Sequence, residues 1–239
     1  MTPLVLVHGA WHTSLSWRFV KDELTKAGAS ATAVDLPGRD NPTVAATASL
    51  DDVVGVVLDT ITGVGEPVVL VGHSLSGVVI DHVAQRLPQQ VAQLVHIASF
   101  VPPPGQRVLD VASWSSFARS MALLQQIDFE QGTSSFPSQS AAAAFYGELD
   151  ATEAAEAAAQ LVTDGLAVSA CTAAAPVPGM ERTYVECLRD RAIPIEAQRE
   201  MCRTGAITRV ITMDTDHSPF LSRPHQLTGH LLEVAGGPA

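Results

Sequence analysis

The chain has 239 residues, of which 46% are hydrophobic and only 16% charged, and its mean hydropathy is +0.20. This excludes a disordered or solvating chain and suits one large α/β domain with a substantial buried core. The 14 Lys and Arg face 25 Asp and Glu, a net charge of −11 with no basic run, which excludes nucleic acid and anionic lipid as partners.

Taken in order, short β-branched runs alternate with helical spacings, the pattern of a parallel sheet with crossover helices. Residues 4–7 form an apolar run ending at His8-Gly9, which predicts a buried central strand. A helix is expected over 16–26, closed by Gly28, then a strand over 29–34 and a helix over 50–61. Residues 68–71 predict a third strand that runs into Gly72-His73-Ser74-Leu75-Ser76-Gly77, with a helix over 78–86 ending before Pro88. Further strands are expected at 94–98, 183–187 and 207–213, and a closing helix at 224–234. Between about 102 and 178 no β-run is visible. Ala-rich helical stretches interspersed with Trp114, Phe117, Met121, Phe145 and Tyr146 predict a helical cap, leaving a core of about 1–101 and 179–239 in a single domain.

No apolar stretch approaches the roughly 18 residues of a membrane span, and the N-terminus lacks the basic region of a signal peptide. Cys171, Cys187 and Cys202 include no C-x-x-C pair, which points to reduced thiols and a cytoplasmic protein. No dinucleotide, Walker or zinc-protease motif occurs, and Asp216-His217 lacks convergent partners, so neither cofactor nor metal is expected.

The chemistry concentrates at strand ends. A strand, then Gly72-His73-Ser74-Leu75-Ser76-Gly77, then a helix is the setting of a nucleophile elbow, in which a sharp turn holds a serine clear of the sheet. Ser76 stands where such elbows usually carry glycine. Serine needs a base and an orienting acid. His217 follows the last strand, at the sheet edge where ligands collect, and Asp190 follows the strand before it. The order Ser74, Asp190, His217 is the one this architecture uses. His82, His225 and His230 read as residues pointing elsewhere, His96 as a hydrogen-bonded core histidine, and His8 as support for its loop. Asp214 and Asp216 read as carboxylates capping loop amides, and Asp110 lies too deep in the cap. Acyl transfer also needs donors for a developing oxyanion, and the backbone N–H groups of Leu75 and Ala10 are the candidates.

These motifs occur together with Val7-His8-Gly9-Ala10-Trp11-His12, Trp17, the run Ala98–Gly105 and Ile193-Pro194. The chain thereby resembles the plant methylesterase/hydroxynitrile lyase branch of the α/β-hydrolase superfamily, as a bacterial member, over nearly its whole length. The resemblance implies an α/β-hydrolase fold with a six-stranded, mostly parallel sheet, flanking helices and a helical cap inserted before the fifth strand. It also implies a Ser74–His217–Asp190 triad and a small apolar ester pocket. Lyases of this branch usually carry a polar side chain at the position of Gly9, and some a lysine at that of Ser218, so hydrolysis is favoured. The expectation is a serine carboxylic-ester hydrolase acting on a small apolar or aromatic ester, as monomer or homodimer. A hydroxynitrile lyase with the same triad and a non-catalytic small-molecule-binding member are the alternatives. Trp11, His12 and Leu15 of the first loop, and Trp114, Phe117, Met121 and Tyr146 of the cap, are the candidate substrate contacts, each set against plain packing of cap on core.

Overall fold

The computed structural model describes residues 1–236. Six strands, β1 (Leu4–Val7), β2 (Ala31–Val34), β3 (Val68–His73), β4 (Val91–Ile97), β8 (Glu181–Cys187) and β9 (Arg209–Met213), form one sheet in the order β2-β1-β3-β4-β8-β9. Every pair is parallel. The apolar runs follow from burial on both faces. Successive side chains of a strand point to opposite sides, so Val5, Val7, Val68 and Leu70 join one core cluster while Leu4, Leu6, Val69 and Val71 join the other.

Helices α1 (Arg18–Lys26) and α11 (Pro224–Val234) cover the second face; α3 (Leu50–Val64) and α4 (Ser76–Arg86) cover the first. The Ser49 hydroxyl and Asp52 carboxylate cap the start of α3 reciprocally, and Gly65 closes it with φ +79°. A short helix, α2 (Pro42–Thr47), precedes α3. Between β8 and β9 lies α9 (Ile195–Thr204), an element absent from the sequence-based expectation; it buries Ala197, Gln198 and Met201 beneath a charged outer face.

The chain between β4 and β8 holds α5 (Val108–Val111), α6 (Ser138–Phe145), α7 (Ala151–Ala159) and α8 (Ala167–Ala170). The expectation of an all-helical insertion is corrected by a three-stranded antiparallel sheet of β5 (Gln126–Asp128), β6 (Thr133–Ser135) and β7 (Asp164–Gly165). These strands are two or three residues long. Such short, largely polar segments carry no alternating apolar pattern to read. Where β7 meets α2 only glycine fits, because a Cβ on Gly165 would stand 2.2 Å from the Ala45 carbonyl oxygen.

Candidate active site

Strand β3 delivers Ser74 at its carboxyl end with φ +53°, a left-handed conformation for a residue with a Cβ. The backbone around it holds the strain: Ser74 N–H donates to the Ile97 carbonyl at 3.1 Å, and the Ser74 carbonyl accepts from Phe100 N–H at 2.9 Å and Gly77 N–H at 3.2 Å. Close packing requires glycine at 77, where a Cβ would stand 2.4 Å from the Phe100 carbonyl oxygen. Position 76 instead has room for a hydroxyl. Buried Ser76 Oγ lies 2.9 Å from the Val7 carbonyl and 2.8 Å from that of His73, tying the elbow to β1.

His217 sits in the loop between β9 and α10 (Pro219–Ser222), fully buried, and its Nδ1 lies 2.7 Å from Asp190 Oδ2. Asp190 follows β8 and is itself fixed. Its Oδ1 accepts from the N–H groups of Ala192 and Ile193, both at 2.8 Å, and its Oδ2 from Gln198 Nε2 at 3.2 Å. His73 Nε2–H donates to the His217 carbonyl at 2.9 Å, and the two rings are 4.6 Å apart, which brings the His217 loop to the residue preceding Ser74. Burial, then the neighbouring His217, drives the His73 imidazole well below its usual range, so it serves as a neutral donor.

A cavity of about 580 Å³, counted to its open mouth, lies over Ser74. No charged residue lines it. Its walls include Ala10, Leu75, Phe100, Val108, Phe117 and Phe145. Among the described residues, neither the Ala10 N–H nor the Leu75 N–H has a hydrogen-bond acceptor. Two wall residues thus carry free amide donors beside the serine.

The candidate contacts separate. Trp11 and Phe117 line this cavity; His12, Leu15, Trp114, Met121 and Tyr146 do not. The 3₁₀ turn Ser14–Trp17 turns Leu15 outward, 62% exposed, into a surface groove with Asp35–Asp40. His12 of the first loop turns away from the cavity to Tyr146, with the Tyr146 hydroxyl 2.9 Å from His12 Nε2 and His12 Nδ1 2.8 Å from the Ala10 carbonyl. Met121 faces an outer groove beside Arg119 and Arg191, and Trp114 packs half-buried against the core. Phe100, Val108, Leu109, Phe145 and Ile193 were missed as wall residues, being indistinguishable in sequence from core.

The remaining histidines and carboxylates fall away from the cavity. His8 holds the first loop, with Nδ1 2.9 Å from the Gly9 carbonyl and Nε2 accepting from Leu36 N–H at 3.2 Å. His82 bonds the Thr172 carbonyl, and exposed His225 lies near Glu23. His96 differs from expectation: it stacks on Tyr184 with neither ring nitrogen hydrogen-bonded among the described residues. Burial, then Arg182, lowers its pKa well below normal and keeps it neutral. Asp216 accepts from the N–H groups of Glu148 and Ser218 and from the Ser222 hydroxyl. Asp214 pairs with Arg189 and Asp110 with Arg107.

A strained serine between a parallel strand and a helix, with histidine and aspartate from later strand ends, defines the class of the α/β hydrolases. The comparison with known proteins agrees. The model of the alpha/beta hydrolase family matches residues 4–229, and the chain belongs to that family. It is 29% identical to Methylesterase 9 of Arabidopsis thaliana, with 98% of each chain covered. It is 27% identical to Methyl jasmonate esterase 1 of Vitis vinifera, over 96% of this chain and 95% of that one. Among solved structures, a pyrethroid hydrolase from Sphingobium faniae superposes with TM-score 0.87 at 23% identity, covering 99% of this chain and 98% of that one. Polyneuridine aldehyde esterase does so with TM-score 0.83 at 20% identity, covering 98% and 100%. These structures share the fold, and the kinship of the sequence is with carboxylesterase-type hydrolases. No helix among the described residues is long and apolar enough to cross a membrane.

Proposed function

We propose that the protein is a serine carboxylesterase acting on a neutral ester with a small apolar or aromatic acyl group. The observation that carries this reading is the left-handed Ser74 opening into a charge-free cavity, two of whose wall residues, Ala10 and Leu75, carry unpaired N–H groups. In this mechanism Ser74 Oγ attacks the ester carbonyl while His217 Nε2 takes its proton. Asp190 holds the ring in the tautomer with Nδ1 protonated and stabilises the imidazolium. The Ala10 and Leu75 amides receive the oxyanion, a contribution of about 2.7–4 kcal/mol per donor. His217 returns the proton to the departing alcohol, and water then releases the acid by the same route. An apolar wall without a cation gives the carboxylate product no counter-charge, which favours its release.

Hydroxynitrile cleavage by the same triad fits less well. A Cβ on Gly9 would stand 2.8 Å from both His73 Nδ1 and Ser74 Cβ, so that position has no room for a cyanohydrin-binding side chain. A non-catalytic binding member would have no use for a strained serine or for a hydrogen-bonded, buried His–Asp pair. The experiment is turnover of p-nitrophenyl esters from acetate to octanoate, with Ser74→Ala as control. The reading expects activity that peaks at short chains and vanishes in the variant. No turnover in the unmodified protein, with cyanide released from mandelonitrile, would replace it with the lyase.

A further inference from the structure

Trp11 is the second strained residue at this site. Its φ of +60° lies in the left-handed region, and it directly follows Ala10. For a bulky side chain this conformation is an outlier that persists only where its surroundings over-determine it. Here the inserted segment supplies the restraint. Trp11 N–H donates to Asp164 Oδ2 at 3.1 Å, its indole Nε1–H donates to Ser134 Oγ at 3.1 Å, and its carbonyl accepts from Val162 N–H at 2.8 Å. The ring packs 5.2 Å from Phe136 and 5.8 Å from Phe145. Asp164 is buried, and its other oxygen lies 2.7 Å from Arg39 Nη1, whose side chain is 8% exposed. Arg39 comes from the core, in the loop after β2, so the pair bridges the core loop and the insertion.

On the reading given under Proposed function, the Ala10 N–H must face the oxyanion; that N–H lies in the Gly9–Ala10 peptide, and the next peptide, joining Ala10 to Trp11, anchors the other side of the Ala10 Cα. That peptide is gripped at both ends: its carbonyl by His12 Nδ1 at 2.8 Å, its N–H by Asp164. A lone carboxylate so close would oppose the negative charge growing on the substrate oxygen, and Arg39 cancels it. We propose that Asp164, neutralised by Arg39, is a positioning residue that holds Trp11 left-handed and thereby aims the Ala10 amide at the oxyanion. The inference rests on the esterase reading but concerns residues far from the serine in sequence and outside the triad.

The test compares two double variants, because removing one partner alone would leave a buried unpaired charge and destabilise the protein for an unrelated reason. Asp164→Ala with Arg39→Met removes the pair and the acceptor for Trp11 N–H. Asp164→Asn with Arg39→Met removes the charges but keeps an acceptor. Active sites are counted by stoichiometric release of p-nitrophenol from a p-nitrophenyl phosphonate, so misfolded protein drops out of the rate. Per titrated site, kcat for p-nitrophenyl acetate should fall roughly 10²-fold in the alanine variant, the loss that a displacement of about 1 Å brings. Affinity for a trifluoromethyl ketone, which forms the tetrahedral oxyanion, should fall by the same factor as kcat/KM, and the asparagine variant should recover a large part of both. If kcat per titrated site stays within twofold of the parent, or both variants lose it equally, the proposal is wrong. A parent protein that neither turns over esters nor reacts with the phosphonate would instead overturn the esterase reading beneath it.

Discussion

His12 ties acid stability to the geometry of the first loop. Burial pushes its imidazole from about 6.5 down to about 4, with the His217 and Arg39 charges adding to the shift and the bond to the Ala10 carbonyl opposing it. The unfolded chain therefore binds a proton between pH 6.5 and 4 that the folded chain refuses. A histidine held neutral in this way contributes stability above its unfolded pKa, and that contribution is lost as pH falls through the window. With these two values, His12 alone accounts for a loss of about 1 kcal/mol between pH 7.5 and 5.5. His8, His73 and His96, each lowered chiefly by burial, push in the same direction. The assay is urea unfolding followed by tryptophan fluorescence at both pH values, staying above the isoelectric point near 5.0. His12→Asn keeps an N–H donor for the Ala10 carbonyl but cannot titrate, so its stability loss over this interval should be smaller by about 1 kcal/mol. An unchanged difference between the two pH values in that variant would refute the reasoning.

The other predictions concern the elbow and the triad. Asp190→Asn should lower kcat by about 10⁴-fold with KM little changed, since the amide favours the wrong tautomer of His217; steady-state kinetics near the parent rate would move the orienting role elsewhere. Gly77→Ala drives a Cβ into the Phe100 carbonyl, a backbone wall. It should cost about 3 kcal/mol, lowering Tm by roughly 6–12 °C in calorimetry. Ser76→Gly removes one buried hydroxyl and should cost about 1–2 kcal/mol. If the serine change is the more damaging, the packing account of the elbow fails.

Much of this architecture is legible in the sequence because it rests on local patterns. Residues 68–71 are apolar on both faces and run straight into the elbow, and Asp190 and His217 each follow a strand that periodicity reveals. What stays hidden depends on partners distant in the chain. Asp164 meets Trp11 across 153 positions and Ser134 meets it across 123, and nothing local marks either residue. Gln198 is hidden differently: it sits on a helix whose exposed face is charged, and only its burial against Cys187 and Asp190 singles it out. The cavity walls are hidden for a third reason. Aromatics of the insertion serve both cavity and core, so Phe117 reaches the site while Trp114 and Tyr146 pack elsewhere. Leu15 shares the first loop with Trp11, yet a 3₁₀ turn faces it to solvent.

The central claim is an acyl-enzyme on Ser74. Its most direct test is rapid acid quench of the protein during turnover of p-nitrophenyl acetate, followed by intact mass and peptide mapping. The account predicts a single acetyl adduct on the peptide bearing Ser74, formed within one turnover and absent from Ser74→Ala. Turnover without an adduct at any quench time, or an adduct on another residue, would contradict it.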